Sequence, residues 1–159
     1  MTDLSLHVGF ELPTFRVTVE PAYLNVFSLL VADPNPLHFD AAAVARAGLG
    51  DKPLSQGTLN IAYALNVVLA VVDAARITKF TCRFLGRVYA HDEVVAGGIV
   101  TEATSDEATI ALWMDNGDGE RVLTGTAIVE PAPRPVLSRT AQGPATEAET
   151  SPHDPLRRE

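Results

Sequence analysis

The stretch TLNIAYALNVVLAVVD, residues 58–73, is apolar on nearly every face and contains neither proline nor glycine. That is the pattern of a helix enclosed by other elements rather than laid on a surface. The run is interrupted by Asn66 and falls short of the roughly 20 apolar residues that a membrane span requires. The chain beyond it is of another kind. Residues 77–85, 94–102, 109–115 and 122–130 are rich in β-branched and aromatic side chains and read as consecutive strands. Asn116-Gly117-Asp118-Gly119 is a strong hairpin turn between the last two. One long apolar helix followed by antiparallel strands, with a further strand at residues 15–20, gives an α+β class in which a sheet wraps the helix.

On the N-terminal side of the helix, Pro21 opens an amphipathic helix over residues 22–32, as proline often does in a first helical turn. Asp33-Pro34-Asn35-Pro36 excludes regular helix after it, because each proline fixes its own φ and restricts the residue before it. The expectation there is a rigid loop. Asp40 is placed to cap a short helix over residues 41–47, closed by Gly48 and Gly50. Residues 51–57 then lead into the central helix.

Composition divides the chain near Pro131. Six of the eleven prolines lie in residues 131–159 and large apolar residues nearly vanish there, so one folded domain is expected over residues 1–130, with a disordered tail after it. The tail's four arginines balance Glu147, Glu149, Asp154 and Glu159, which leaves the net charge of -8 within residues 1–130. Such a balance argues against a nonspecific nucleic-acid binder, whose footprint is a basic face. The single cysteine, Cys82, permits neither an internal disulfide framework nor a zinc cluster, and residues 1–9 lack the basic and apolar regions of a secretory leader. The expected location is therefore the reducing cytoplasm. No metal-ligand spacing links His7, His91 and His153, and no metal or other cofactor is expected.

Asp33, Asn35 and His38 lie within six residues on the proline-stiffened loop. A histidine with an ordinary pKa near 6.5 both takes and gives a proton at neutral pH, and a nearby carboxylate orients its ring and stabilises its charged form. Asp-Pro and Asn-Pro are also ordinary turn formers, so spacing alone leaves a structural and a chemical reading open.

The surrounding residues add to the chemical one. Residues 23–40, YLNVFSLLVADPNPLHFD, resemble the signature of the MaoC-like hydratases, a helix ending in D-x-N-P-[LIV]-H-x-D. The likeness extends from Val8-Gly9 and Leu12-Pro13, through residues 53–66, to RFLGRVYAHDEV at residues 83–94 and on to residues 125–129. This resemblance implies a hot-dog fold, an antiparallel sheet curled around one long helix, assembled as a dimer. It also implies a hydro-lyase that interconverts trans-2-enoyl and (R)-3-hydroxyacyl thioesters of CoA or acyl carrier protein. By the same resemblance Asp33 and His38 are the catalytic pair and Asn35 helps to hold the loop. Gly57 carries the backbone N–H that faces the thioester carbonyl and, having no Cβ, is expected to let the acyl chain approach closely.

The chain departs from the family pattern at two places. Val31-Ala32-Asp33 stands where Ser-Gly-Asp is usual, and Gln56-Gly57 where His-Gly is usual. The first removes a hydroxyl, and the second replaces an imidazole by an amide that hydrogen-bonds without changing charge. Gln56 is thus expected to support the loop as a neutral group. Between Asp73 and Asp92 the chain carries Arg76, Lys79, Arg83 and Arg87 and no acid. Lys79, Arg83 and Arg87 fit either a contact for CoA phosphates or an acidic carrier protein, or a solvated outer face. Two other functions suit the same residues: a catalytic subunit that needs a noncatalytic hot-dog partner, and a noncatalytic acyl-thioester binding protein.

Overall fold

The computed structural model describes residues 6–130; the proline-rich tail expected at residues 131–159 lies outside the described residues, as do residues 1–5. The chain runs β1 (Phe15–Thr18), α1 (Pro21–Leu30), a 3-10 turn (Pro36–His38), α2 (Ala41–Arg46) and α3 (Gly57–Leu69). A second 3-10 turn (Ala74–Arg76) leads to β2 (Ile77–Phe84), β3 (Glu93–Ala103), β4 (Ala108–Asp115) and β5 (Arg121–Val129). The five strands form one antiparallel sheet in the order β1-β3-β4-β5-β2. The four strands expected after the central helix, and the one before it, are all present.

Period-two patterning is plainest in β4, where Ala108, Ile110, Leu112 and Met114 are buried and the residues between them are not. With Val94, Ala96 and Val100 of β3 and Leu123, Ala127 and Val129 of β5, they form a core with Leu59, Tyr63, Ala64, Val67 and Val68 of α3. Each valine, leucine, isoleucine or methionine among them contributes about 1.5–3 kcal/mol when fully buried.

Two features of α3 differ from the sequence reading. It ends at Leu69 rather than near Asp73, because the amides of Val71 and Val72 both turn onto the carbonyl of Val68 and tighten the last turn. Its apolar circumference is also only partly covered by the chain itself. The sheet packs one face, while Ile61 and Leu65 are half-buried and Leu69 is 44% exposed on another.

The end of α1 has a definite cause. Ala32 adopts a left-handed φ of 52°, the amide of Asp33 bonds back to the carbonyl of Ser28 at 2.9 Å, and that of Ala32 to Leu29 at 3.4 Å. This double bond pattern closes a helix with its last residue in the left-handed region, where glycine is usual. The helix therefore stops two residues before the expected end, and its closing turn delivers Asp33 to the loop. No described helix is long and apolar enough to cross a membrane.

Candidate active site

Asp33 and His38 meet. Asp33 Oδ2 lies 3.3 Å from His38 Nε2, with the aspartate side chain 39% exposed and the histidine side chain 13% exposed. The short loop between them is held locally: Asp33 Oδ1 accepts from the amide of Asn35 at 3.2 Å, and Asn35 Oδ1 accepts from the amide of Leu37 at 3.1 Å. Asn35 thereby caps the 3-10 turn that carries His38.

The second ring nitrogen settles what the first can do. His38 Nδ1 lies 2.8 Å from the carbonyl oxygen of Leu54, which can only accept, so Nδ1 carries a proton. In the neutral ring Nε2 is then a bare lone pair facing a carboxylate oxygen. Two acceptors at that separation are satisfied by a shared proton or by a small donor, such as a water, presented to both.

Gln56 is 1% exposed at the entrance to α3. Its Nε2 donates to the carbonyl of Leu24 and to Ser28 Oγ, each at 2.9 Å, while Oε1 is buried with no partner among the described residues. Gln56 therefore grips α1, not the loop residues themselves. The consequence is a closed circuit. Asp33 faces His38, His38 bonds Leu54, the chain runs two residues on to Gln56, Gln56 bonds Ser28, and the carbonyl of Ser28 holds the amide of Asp33.

Gly57 is the first residue of α3, and the helix's first internal amide bond to a carbonyl is that of Asn60 to Gln56. No side chain caps this end, unlike α2, where Asp40 Oδ1 accepts from Ala42 at 2.8 Å. The first-turn N–H groups thus have no side-chain cap, and the helix dipole favours negative charge there. The nearest neighbour of the missing Cβ at position 57 is a side chain of this protein. A Cβ there would press on the ring of Phe84, whose Cζ lies 3.2 Å from that point.

A cavity of about 590 Å³ opens beside Asp33, lined by Asn25, Ser28, Leu29, Ala32, Pro34 and Phe39, within the size range of small-ligand sites. Tyr63 packs in the core and its hydroxyl has no partner among the described residues. Burial, then the neighbouring Tyr23, pushes its pKa up to about 12, so it stays neutral at ordinary pH. On the edge strand β2, Lys79 and Arg83 are exposed, and Arg87 is exposed beyond the strand's end; none of the three pairs with a carboxylate among the described residues.

Three participants carried no flag in the sequence: Ser28, Phe84 and the carbonyl of Leu54. Ser28 could have been found as a polar residue one turn after Leu24 on the buried face of α1. A backbone carbonyl has no signature of its own.

An antiparallel sheet wrapped on one long helix is the hot-dog arrangement, and here Asp33 and His38 meet just after the helix that precedes it. The MaoC like domain model matches residues 9–120, and the chain belongs to that family. Among solved structures it is similar to the R-hydratase PhaJ1 from Pseudomonas aeruginosa, at 25% identity and a TM-score of 0.71 over 79% of this chain and 83% of that one. The (R)-hydratase of A. caviae involved in PHA biosynthesis aligns at 26% identity and a TM-score of 0.70, over 80% and 98% of the two chains. The ChsH1-ChsH2 complex from Mycobacterium tuberculosis shares the fold at 20% identity and a TM-score of 0.72, over 82% and 99%. No curated protein sequence matches the chain.

Proposed function

We propose that this protein is a hydro-lyase that interconverts trans-2-enoyl and (R)-3-hydroxyacyl thioesters, with Asp33 and His38 as its acid/base pair. The observation that carries the reading is the pairing of Asp33 Oδ2 with a His38 Nε2 whose opposite nitrogen is pinned to Leu54. A water donating to both acceptors is oriented for attack. Its oxygen bonds to C3, one of its protons passes to the pair, and a proton from the pair is delivered to C2. Negative charge on the thioester oxygen between these events is held by the N–H of Gly57; one such donor is typically worth about 2.7–4 kcal/mol of barrier. Dehydration is the same path reversed.

The apolar cavity beside Asp33 suits the hydrocarbon part of an acyl group. Lys79, Arg83 and Arg87 supply unpaired positive charge for the phosphates of CoA or for an acidic carrier protein. The similarity to two (R)-hydratases supports the stereochemistry. A second hot-dog subunit, identical or different, completes the site: Tyr23, Val26, Leu30, Leu69 and Leu85 are all at least 44% exposed and offer it apolar surface to cover.

The test is to follow crotonyl-CoA with the purified protein. Loss of enoyl absorbance without release of free thiol is expected. Asp33→Asn and His38→Ala should each lower turnover by about 10²–10⁴ while circular dichroism stays unchanged. Undiminished turnover in a folded double variant overturns the mechanism. Activity that appears only on adding a second hot-dog subunit identifies the hetero-oligomeric form.

A further inference from the structure

We infer that Phe84 is a specificity-determining residue of this thioester site: its ring walls the start of α3 and restricts the site to acyl groups without a substituent on C2. The inference rests on the hydration reading for the placement of the thioester oxygen at Gly57.

Phe84 is the last residue of β2 and pairs with Leu123. Phe80 and Cys82, four and two residues earlier on the same strand face, pack against the core. Phe84 continues that face past the core's edge, where 48% of it stays exposed. Its contact there is specific. An ideal Cβ on Gly57 would meet Phe84 Cζ at 3.2 Å, Cε2 at 3.5 Å and Cε1 at 3.7 Å, so the ring lies against the helix backbone, at the one position where the helix has no side chain.

In a helix each Cα–Cβ direction tilts toward the N terminus. A ring packed against the Cβ position of the first helical residue therefore stands beside the free first-turn N–H groups. A carbonyl oxygen bound at Gly57 brings its carbon, with the attached sulfur and C2, alongside that ring. The ring then acts in two ways. It excludes water from one side of the oxygen on which charge develops, which strengthens the hydrogen bond to it. It also forms a wall with little room to retreat toward the helix, since it already lies in contact with the Cβ position there. A flat, unbranched enoyl thioester passes along such a wall, whereas a methyl group on C2 meets it.

Binding is measured with two unreactive thioesters, butyryl-CoA and 2-methylpropanoyl-CoA, by calorimetry on the wild type, Phe84→Ala and Phe84→Leu, beside the crotonyl-CoA hydration rate. The wild type should prefer the unbranched ligand about tenfold, the scale of discrimination one methyl group gives in an apolar pocket. Phe84→Ala should bring the ratio near one by improving the branched ligand, with Phe84→Leu between them and readable should the alanine variant not fold. A ratio unchanged in either folded variant, equal weakening of both ligands, or a wild type that binds both alike or neither overturns the inference. A wild type that selects between the thioesters yet does not hydrate crotonyl-CoA overturns the hydration reading alone.

Discussion

The β4–β5 hairpin and the segment from Ser28 to His38 are both tight reversals of the chain, yet they are built in opposite ways. In the hairpin every tie is local. Asn116 Oδ1 accepts from the amides of Asp118 and Glu120, the amide of Asn116 bonds the carbonyl of Glu120, and Gly119 takes a left-handed φ of 79° that glycine adopts without cost. In the Ser28–His38 segment the left-handed position is held by Ala32, and the local bonds of Asp33 and Asn35 are joined by two distant ties, His38 Nδ1 to Leu54, 16 positions away, and Ser28 Oγ to Gln56, 28 positions away. The hairpin is a turn its own sequence dictates. The site is a turn that distant ties complete, with backbone strain retained one residue before Asp33.

This contrast can be broken at its strongest point with Gln56→Leu, which removes the donor to Leu24 and Ser28. A loss of about 1–3 kcal/mol is expected by urea denaturation, with a fall in turnover, whereas turnover should be indifferent to comparable damage in the hairpin. Combining it with Ser28→Ala should cost less than the two separately, since both act on one bond; strict additivity would show that the circuit is not a unit. Next in size, Gly119→Ala should cost about 1–2 kcal/mol and leave crotonyl-CoA hydration as it was. Smallest, and of opposite sign, Ala32→Gly should stabilise by about 0.5–1 kcal/mol, relief of the left-handed strain being offset in part by the greater freedom of glycine in the unfolded chain. A destabilised Ala32→Gly protein would show that the methyl group contributes packing that outweighs its strain.

Legibility in the sequence divides along the same line. The strands, the Asn116–Gly119 turn and the cap at Asp40 depend on neighbours in the chain, and they fall where local pattern puts them. Asp33, Asn35 and His38 were legible because two prolines compress them into six residues. The tie from His38 to Leu54 ends on a backbone oxygen, which any residue would supply. The ring of Phe84 over Gly57 joins positions 27 apart through sheet curvature, which periodicity does not encode. Ala32 was visible as a departure from the family pattern, but its cost lies in the missing glycine at position 32 rather than in the missing hydroxyl at position 31. The partly uncovered face of α3 escaped notice for a different reason: an apolar helix surface reads the same whether its own chain or another covers it.

The hydrogen-bonded circuit through Asp33, His38, Leu54, Gln56 and Ser28 also bears on how the protein loses activity. Its members sit on α1, on the loop after it and on the approach to α3, and none is held by the sheet's ladder. If α1 lifts away, Asp33 leaves His38 in one local opening, while the strands remain paired and Leu54 keeps its bridge to Tyr89. On heating, the proposed crotonyl-CoA hydration should thus be lost ahead of the melting of the sheet, with faster amide exchange at Asp33 marking the opening.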